Sequence, residues 1–433
     1  MSQNPSEWVG DPNQSGAFVT LGSQDARRVN YVNALYTQYA NDPTRPSAVI
    51  VENNWGVRRF IDALPEARLK DVFLIDLSDR TLVVPGNPLA KIMGSVDDRV
   101  NVLTRTVRSL WESDWQPGYE EAYRCALGAM AAANDRRSPE SQLGLVSLAF
   151  MLRASPDWIE NFLTRNVSQR EHPWISQYFV HRYSKMSAVD RLDLVEPVIE
   201  KSGIFGYEIA LPMMSAPAPS FSIKNLLDDG KLVIVQTDSG LMNEVDRFFV
   251  NWTLSQVQLY LASRTSKKFF LLAVDGIENF SGYEWEPLLA HATKPGVRVV
   301  LSPVSDDNMS IGFGRRICSS VRSNIVFSPD NVKTNWIRSL FSNMLFNILP
   351  DAVVADFEGD QTPFALQIPL TPAEIPGSAV RRRSIYDARA EYSRSTVDIQ
   401  GAAMMVQQAF VGENTRATSG QQARKSFLSI FRG

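Results

Sequence analysis

Short apolar runs alternate along the chain with longer stretches in which apolar residues recur every three or four positions. FVTLG (18–22), SAVIVE (47–52) and DVFLIDL (71–77) are rich in β-formers and end at Gly, Pro or polar clusters, so they predict buried strands. After VVPGNPLAKIMG the pattern changes. Between residues 97 and 200 the period is helical, in VNVLTRTVRSLW, YEEAYRCALGAMAAAN, SQLGLVSLAFMLRA and DWIENFLTR. The last of these follows the start signal Ser155-Pro156-Asp157. Strand patterns return at KLVIVQT (231–237), KKFFLLAVD (267–275), GVRVVLS (296–302) and SNIVFSP (323–329), with helical segments between them. AVVADFEGDQTPFALQIPL alternates around Gly359-Asp360 and predicts a terminal hairpin.

Strands that alternate with helices predict an α/β fold with a mainly parallel sheet covered on both faces, here interrupted by an all-α insertion. The expected division is a flexible N-terminus (1–16), an α/β domain from 17–96 and 201–372, an all-α inserted domain (97–200) and a basic C-terminal tail (373–433). The tail's polar Ser/Gly/Gln/Arg end is expected to be disordered or partner-dependent. The aromatic-rich helix RFFVNWTLSQVQLYL has apolar residues at helical spacing and is expected to be core against the sheet. Trp111, Trp115, Trp158 and Trp174 of the insertion are expected in its core; any that are exposed would mark a partner surface.

Composition narrows the class. Hydrophobic residues make up 44% and charged residues 21%, ordinary values for a soluble globular protein. A net charge of −3 gives no global attraction to nucleic acid or anionic membrane. Cys125 and Cys318 are the only cysteines, which excludes a disulfide scaffold and a Cys-rich metal site and fits a reducing cytoplasm. His172, His181 and His291 have no zinc spacing, so no metal is expected. No apolar stretch approaches the ~20 residues needed to cross a bilayer, and MSQNPSEWVGDPNQSG has no signal core. A cytoplasmic location is expected.

The candidate chemistry lies at the ends of two strands. A phosphate-binding loop reads G-x-x-x-x-G-K-[ST] between a strand and a helix: glycines let backbone N–H groups wrap the phosphates, the lysine neutralises charge and the hydroxyl holds Mg²⁺. From Gly22 this chain reads Gly22-Ser23-Gln24-Asp25-Ala26-Arg27-Arg28-Val29. Arg27 stands at the second glycine, Arg28 replaces the lysine, and Val29 cannot ligate Mg²⁺. Asp25 puts a carboxylate where phosphates would lie. One glycine by itself also fits any strand–loop–helix turn. The second strand, FFLLAVD, ends in Asp275, followed by Gly276 where an ATPase would carry the glutamate that polarises the attacking water. Alone, Asp275 also reads as a strand-end cap.

Taken in order, the phosphate-loop strand, helical insertion, DGIENF and LLAHATKPGVRVVLSP resemble the HerA/FtsK-type motor ATPases, in the branch of conjugative and type IV secretion coupling proteins. Asp275, Asn279, Phe280, Leu289, Ala292, Lys294 and Leu301 match that pattern, and Ser384, Tyr386, Arg394 and Val397 match its C-terminal signature. The resemblance implies a RecA-like P-loop fold over most of residues 17–400. It departs at the second loop glycine, the lysine, the hydroxyl, the catalytic glutamate and the sensor glutamine near Pro303 or Val304. These departures imply a pseudo-ATPase without cofactor, acting as a scaffold or assembly subunit beside a protein partner or an active ATPase, in a homo- or hetero-oligomer. Two alternatives remain: an unorthodox ATP-driven translocase that uses ATP and Mg²⁺, and a nucleic-acid-binding protein. By the same resemblance Arg315, Arg316 and Arg322 are candidate arginine fingers, equally readable as locally paired surface residues. Arg381, Arg382 and Arg383 are candidate contacts to nucleic acid or part of a solvated basic linker.

Overall fold

The computed structural model describes residues 15–22, 31–32, 35–36, 39, 42, 46–111, 115–206, 210–217, 221–237, 242–327, 336–337, 352–356, 364–366 and 378–415. These fall into two compact units, one from residues 1–78 and 223–391 and the other from 79–222 and 392–433.

The first unit is built on one sheet. Its strands are β1 (Gly16–Gly22), β2 (Ser47–Asn53), β3 (Val72–Asp76), β4 (Leu232–Thr237), β5 (Phe270–Asp275), β6 (Val297–Ser302), β7 (Ser323–Phe327), β8 (Ala352–Asp356) and β9 (Phe364–Leu366). Their spatial order is β9-β8-β7-β1-β6-β5-β2-β4-β3. The seven strands from β7 to β3 are all parallel. The predicted hairpin is β8 and β9, which extends the β7 edge antiparallel. The continuous apolar runs follow from this arrangement: β4 and β6 are buried along their whole length because helices cover both faces. The aromatic-rich helix is Glu244–Ser263, and Phe248, Phe249 and Trp252 on it are fully buried. Tyr36 and Phe60 meet edge to face at 5.0 Å in the same core as Leu74, Ile234 and Leu271.

The helical unit begins at residue 79 and not near 97 because the segment before the first long helix is tied into it. Asn87 Nδ2 donates to Leu143 O (3.1 Å), and Asn134 Nδ2 donates to Leu89 O and Leu143 O at 3.2 and 2.8 Å. Arg99, 1% exposed, donates to Leu89 O (2.8 Å), Ala131 O (3.2 Å) and the Asp135 carboxylate (2.6 Å), so its buried charge is paired and bonded. The main helices are Val96–Leu110, Pro117–Asn134, Pro156–Asn166 and Ala188–Ser202.

The stretch expected as a tail contains two helices, Ser378–Tyr392 and Thr396–Thr415. The first belongs to the sheet unit: Ile385, 2% exposed, joins its core. The second belongs to the helical unit. Thr396 N–H donates to Thr81 O (3.0 Å), and Phe410 packs 5.4, 5.2 and 5.4 Å from the rings of Phe150, Trp158 and Phe162. The N-terminal segment 1–14 and residues 416–433 lie outside the described residues. Among the described residues no helix is long and apolar enough to cross a membrane.

Because Phe410 is fully buried, Phe410→Ala is expected to destabilise the helical unit by about 3–5 kcal/mol. Urea unfolding followed by tryptophan fluorescence measures this; a loss under about 1 kcal/mol would mean that the helix does not complete this core.

Candidate functional site

Parallel strands carry their carboxyl ends to one edge, where open α/β sheets place ligands. Here that edge is acidic. Register sets Glu52, Gln236 and Asp76 side by side at the ends of β2, β4 and β3, and pairs Asp275 with Ser302 at the ends of β5 and β6. Asp306 follows β6 and is 8% exposed, as are Glu52 and Asp76.

Four residues of this group, Glu52, Asp76, Gln236 and Asp306, accept from the chain's own donors. Gly22 N–H, at the head of the expected phosphate loop, donates to Asp306 Oδ2 at 2.6 Å in a buried setting. Tyr36 O–H donates to Glu52 Oε1 at 3.1 Å; burial first, then Glu52 and Asp275, hold its hydroxyl well above the usual tyrosine range. Ser78 donates to Asp76 Oδ1 from N (3.0 Å) and Oγ (2.6 Å), and Arg389 reaches Asp76 at 3.7 Å. Tyr386 O–H donates to Gln236 Oε1 at 2.8 Å. The Ser378–Tyr392 helix thus closes over the carboxyl ends of β3 and β4.

Gly22 itself is required by packing. Its φ is +95°, and a Cβ there would stand 2.0 Å from Phe327 O on β7. The glycine is explained without any phosphate. Asp25, Arg27, Arg28 and Val29 lie outside the described residues.

Gly276 is in the left-handed region (φ 74, ψ 36) and opens the Ile277–Phe280 turn. Its N–H donates to Ser302 O at 2.7 Å, and Asn279 Nδ2 donates to its carbonyl at 3.2 Å. A glutamate at this position would sit in a conformation that costs roughly 1–2 kcal/mol. Glu278 is committed elsewhere: it accepts from Val304 N (3.0 and 3.1 Å) and Ser305 N (3.1 Å), which fixes the stretch where a sensor glutamine would stand. Asp275 follows the Val51–Val274 pair of β2 and β5, which brings it to the edge beside Glu52.

The arginines predicted from sequence fall elsewhere. Arg315 is exposed on the Ile311–Ser320 helix. Arg316 pairs with Glu286 at 3.1 Å and donates to Ser281 O. Arg322 donates to Ser15 O at 3.2 Å. Arg381 donates to Asp62 O and Leu64 O (2.9 and 3.1 Å), and Arg382 to the Asp62 carboxylate (2.6 Å), at the C-terminal end of the Asn54–Ala63 helix. There their charge meets the negative end of the helix dipole. Arg383 is exposed and lies 3.8 Å from Asp387. Among the described residues no group of three or more His, Cys, Asp or Glu has the arrangement of a metal site.

Solved structures of the bacterial conjugative coupling protein TrwB match most of this chain. The unbound monoclinic form matches at a TM-score of 0.56 and 14% identity, over 84% of this chain and 87% of TrwB. The trigonal form in complex with sulphate gives 0.58 and 16%, over 86% and 89%. The complex with ADP and Mg²⁺ gives 0.56 and 15%, over 85% and 88%. The chain has the TrwB fold. Neither a protein-family model nor a curated protein matches the sequence. The RecA-like P-loop architecture inferred from motif order is therefore present.

Two expectations follow from this geometry. Gly276→Glu should cost roughly 1–2 kcal/mol in urea unfolding and bring no ATP hydrolysis; turnover in that variant would show that the missing glutamate was the sole defect. Burial, then the Asp306 charge, pushes the Cys318 thiol up to about 12, against an ordinary value of 9.0. Burial likewise raises the Tyr31 hydroxyl to about 12. Folded-state pKa values raised in this way favour the protonated native form, so stability is full below about pH 9 and is lost as pH rises toward about 12. The urea midpoint should fall over that window, less steeply in Cys318→Ala; an identical slope would remove the thiol from the account.

Proposed function

We propose that this protein is a catalytically inactive relative of the conjugative coupling ATPases, a cytoplasmic pseudo-ATPase that acts as a scaffold or assembly subunit with a protein partner or an active ATPase. TrwB is described in complex with ADP and Mg²⁺ and with non-hydrolysable GTP and ATP analogues, so its fold is known to host nucleotide. In the present chain the observation that carries the reading is the Asp306 carboxylate on the Gly22 N–H. The head of the loop is satisfied by an internal anion, and a phosphate brought to about 4 Å from that charge meets a repulsion of about 4 kcal/mol at an effective dielectric of about 20. The glycine at 276 and the hydrophobic residue at 29 remove the groups that would polarise water and ligate Mg²⁺. Arg381 and Arg382 cap a helix of their own unit, which disfavours the nucleic-acid reading based on them.

The scaffold reading expects no phosphate release from Mg-ATP above the protein-free rate, together with co-purification of an active coupling ATPase when the two are co-expressed. Turnover that depends on Mg²⁺ and is abolished by Asp275→Asn would replace it with the translocase reading.

A further inference from the structure

The helical unit holds a cavity of 940 Å³ between the Pro117–Asn134 helix and a π-helical turn, Gln177–Arg182. Its walls include Trp115 and Trp174, two of the four tryptophans expected in the core; both are half-buried, whereas Trp111 and Trp158 are 9% and 8% exposed. Trp174 reaches the helix because residue 128 is glycine, where a Cβ would stand 2.3 Å from its Cη2 atom. π-Helical turns shift side chains out of the regular helical register and recur at functional sites. This one turns Tyr178, His181 and Arg182 toward the cavity.

Two polar groups on the wall point to a ligand. Tyr178 is 4% exposed, and its hydroxyl has no hydrogen-bond partner among the described residues, so its burial carries an uncompensated cost. Arg124 bonds the neutral Asn101 amide at 3.0 Å and no carboxylate among the described residues. The other two arginines of the lining are already paired, Arg108 with Glu120 and Arg182 with Glu121. A groove for nucleic acid would leave a track of unneutralised cations to follow a phosphate backbone. This site offers one such cation, one buried hydroxyl donor and two indole walls in a partly open hollow.

We propose that this cavity binds a short acidic segment of a partner protein, with an aromatic side chain lodged between Trp115 and Trp174 and a neighbouring carboxylate on Arg124 and the Tyr178 hydroxyl. Aromatic anchors in pockets of this size supply most of the binding energy of such contacts, and a charge-assisted bond fixes their register. The proposal deepens the scaffold reading by giving the partner's chemistry. Its failure would be separable from failure of that reading, because it is tested without nucleotide.

The probe is a fluorescently labelled pentapeptide with a central phenylalanine between two aspartates and two glutamates, titrated into the full chain and followed by anisotropy. Controls are the same peptide with central alanine, the same with lysines as flanks, and a short oligothymidylate. The acidic aromatic peptide should bind saturably and at least tenfold more tightly than every control. Tyr178→Phe removes an unpartnered hydroxyl and should leave the melting temperature unchanged or higher while weakening binding about two- to tenfold. Arg124→Gln should weaken it about tenfold or more. The proposal is overturned if the alanine or lysine peptide binds equally well, if both variants bind like the native chain, or if the oligothymidylate binds in preference.

Discussion

A parallel sheet gathers the carboxyl ends of its strands at one edge, and whatever residues terminate those strands must be satisfied there. In this protein Asp76, Asp275 and Ser302 end their strands, Glu52 and Gln236 stand one residue before the ends of theirs, and Asp306 lies in the loop beyond Ser302. An edge so acidic needs donors. The chain supplies them from the Gly22 N–H, the Tyr36 and Tyr386 hydroxyls, Ser78 and Arg389. Buried acceptors without such partners would each cost on the order of 1–3 kcal/mol or more. The proposed inactive reading rests on one of these contacts, the Asp306 carboxylate on the Gly22 N–H.

The C-terminal segment is part of this solution. The Ser378–Tyr392 helix sends Tyr386 and Arg389 to the sheet edge and Arg381 and Arg382 to the end of the Asn54–Ala63 helix. Its basic character is therefore largely internal to the fold. The following helix, Thr396–Thr415, buries Ile399, Ala403 and Phe410 in the helical unit. A chain segment that looked solvated by composition thus contributes to two separate cores.

Much of the fold was legible because apolar runs and helical periods are direct records of burial. The strand runs ending at Gly22, Asp275 and Ser302, and the hairpin pair β8 and β9, follow the predicted pattern closely. Motif order pointed to the P-loop architecture although no single motif was intact. The strand-end acids were less visible: SAVIVE and DVFLID do end in carboxylates, yet only three-dimensional register shows that Glu52 and Asp76 flank Gln236. Asp306 lies in a loop without a pattern, and its bond to Gly22 spans 284 residues. The helix docking of Arg381 and Arg382 was hidden for the same reason, since local composition cannot tell a half-buried helix cap from a solvated charge. Gly276 was read as a lost glutamate, whereas its left-handed backbone is used by the turn that follows.

The central claim is that the head of the loop is closed by an internal carboxylate and holds no nucleotide. Calorimetric titration of the intact chain with a non-hydrolysable ATP analogue, with and without Mg²⁺, tests it most directly. The account predicts no saturable heat at millimolar ligand and no shift in melting temperature. Saturable, Mg²⁺-dependent binding would contradict it and return Gly22 and Asp275 to a working phosphate site.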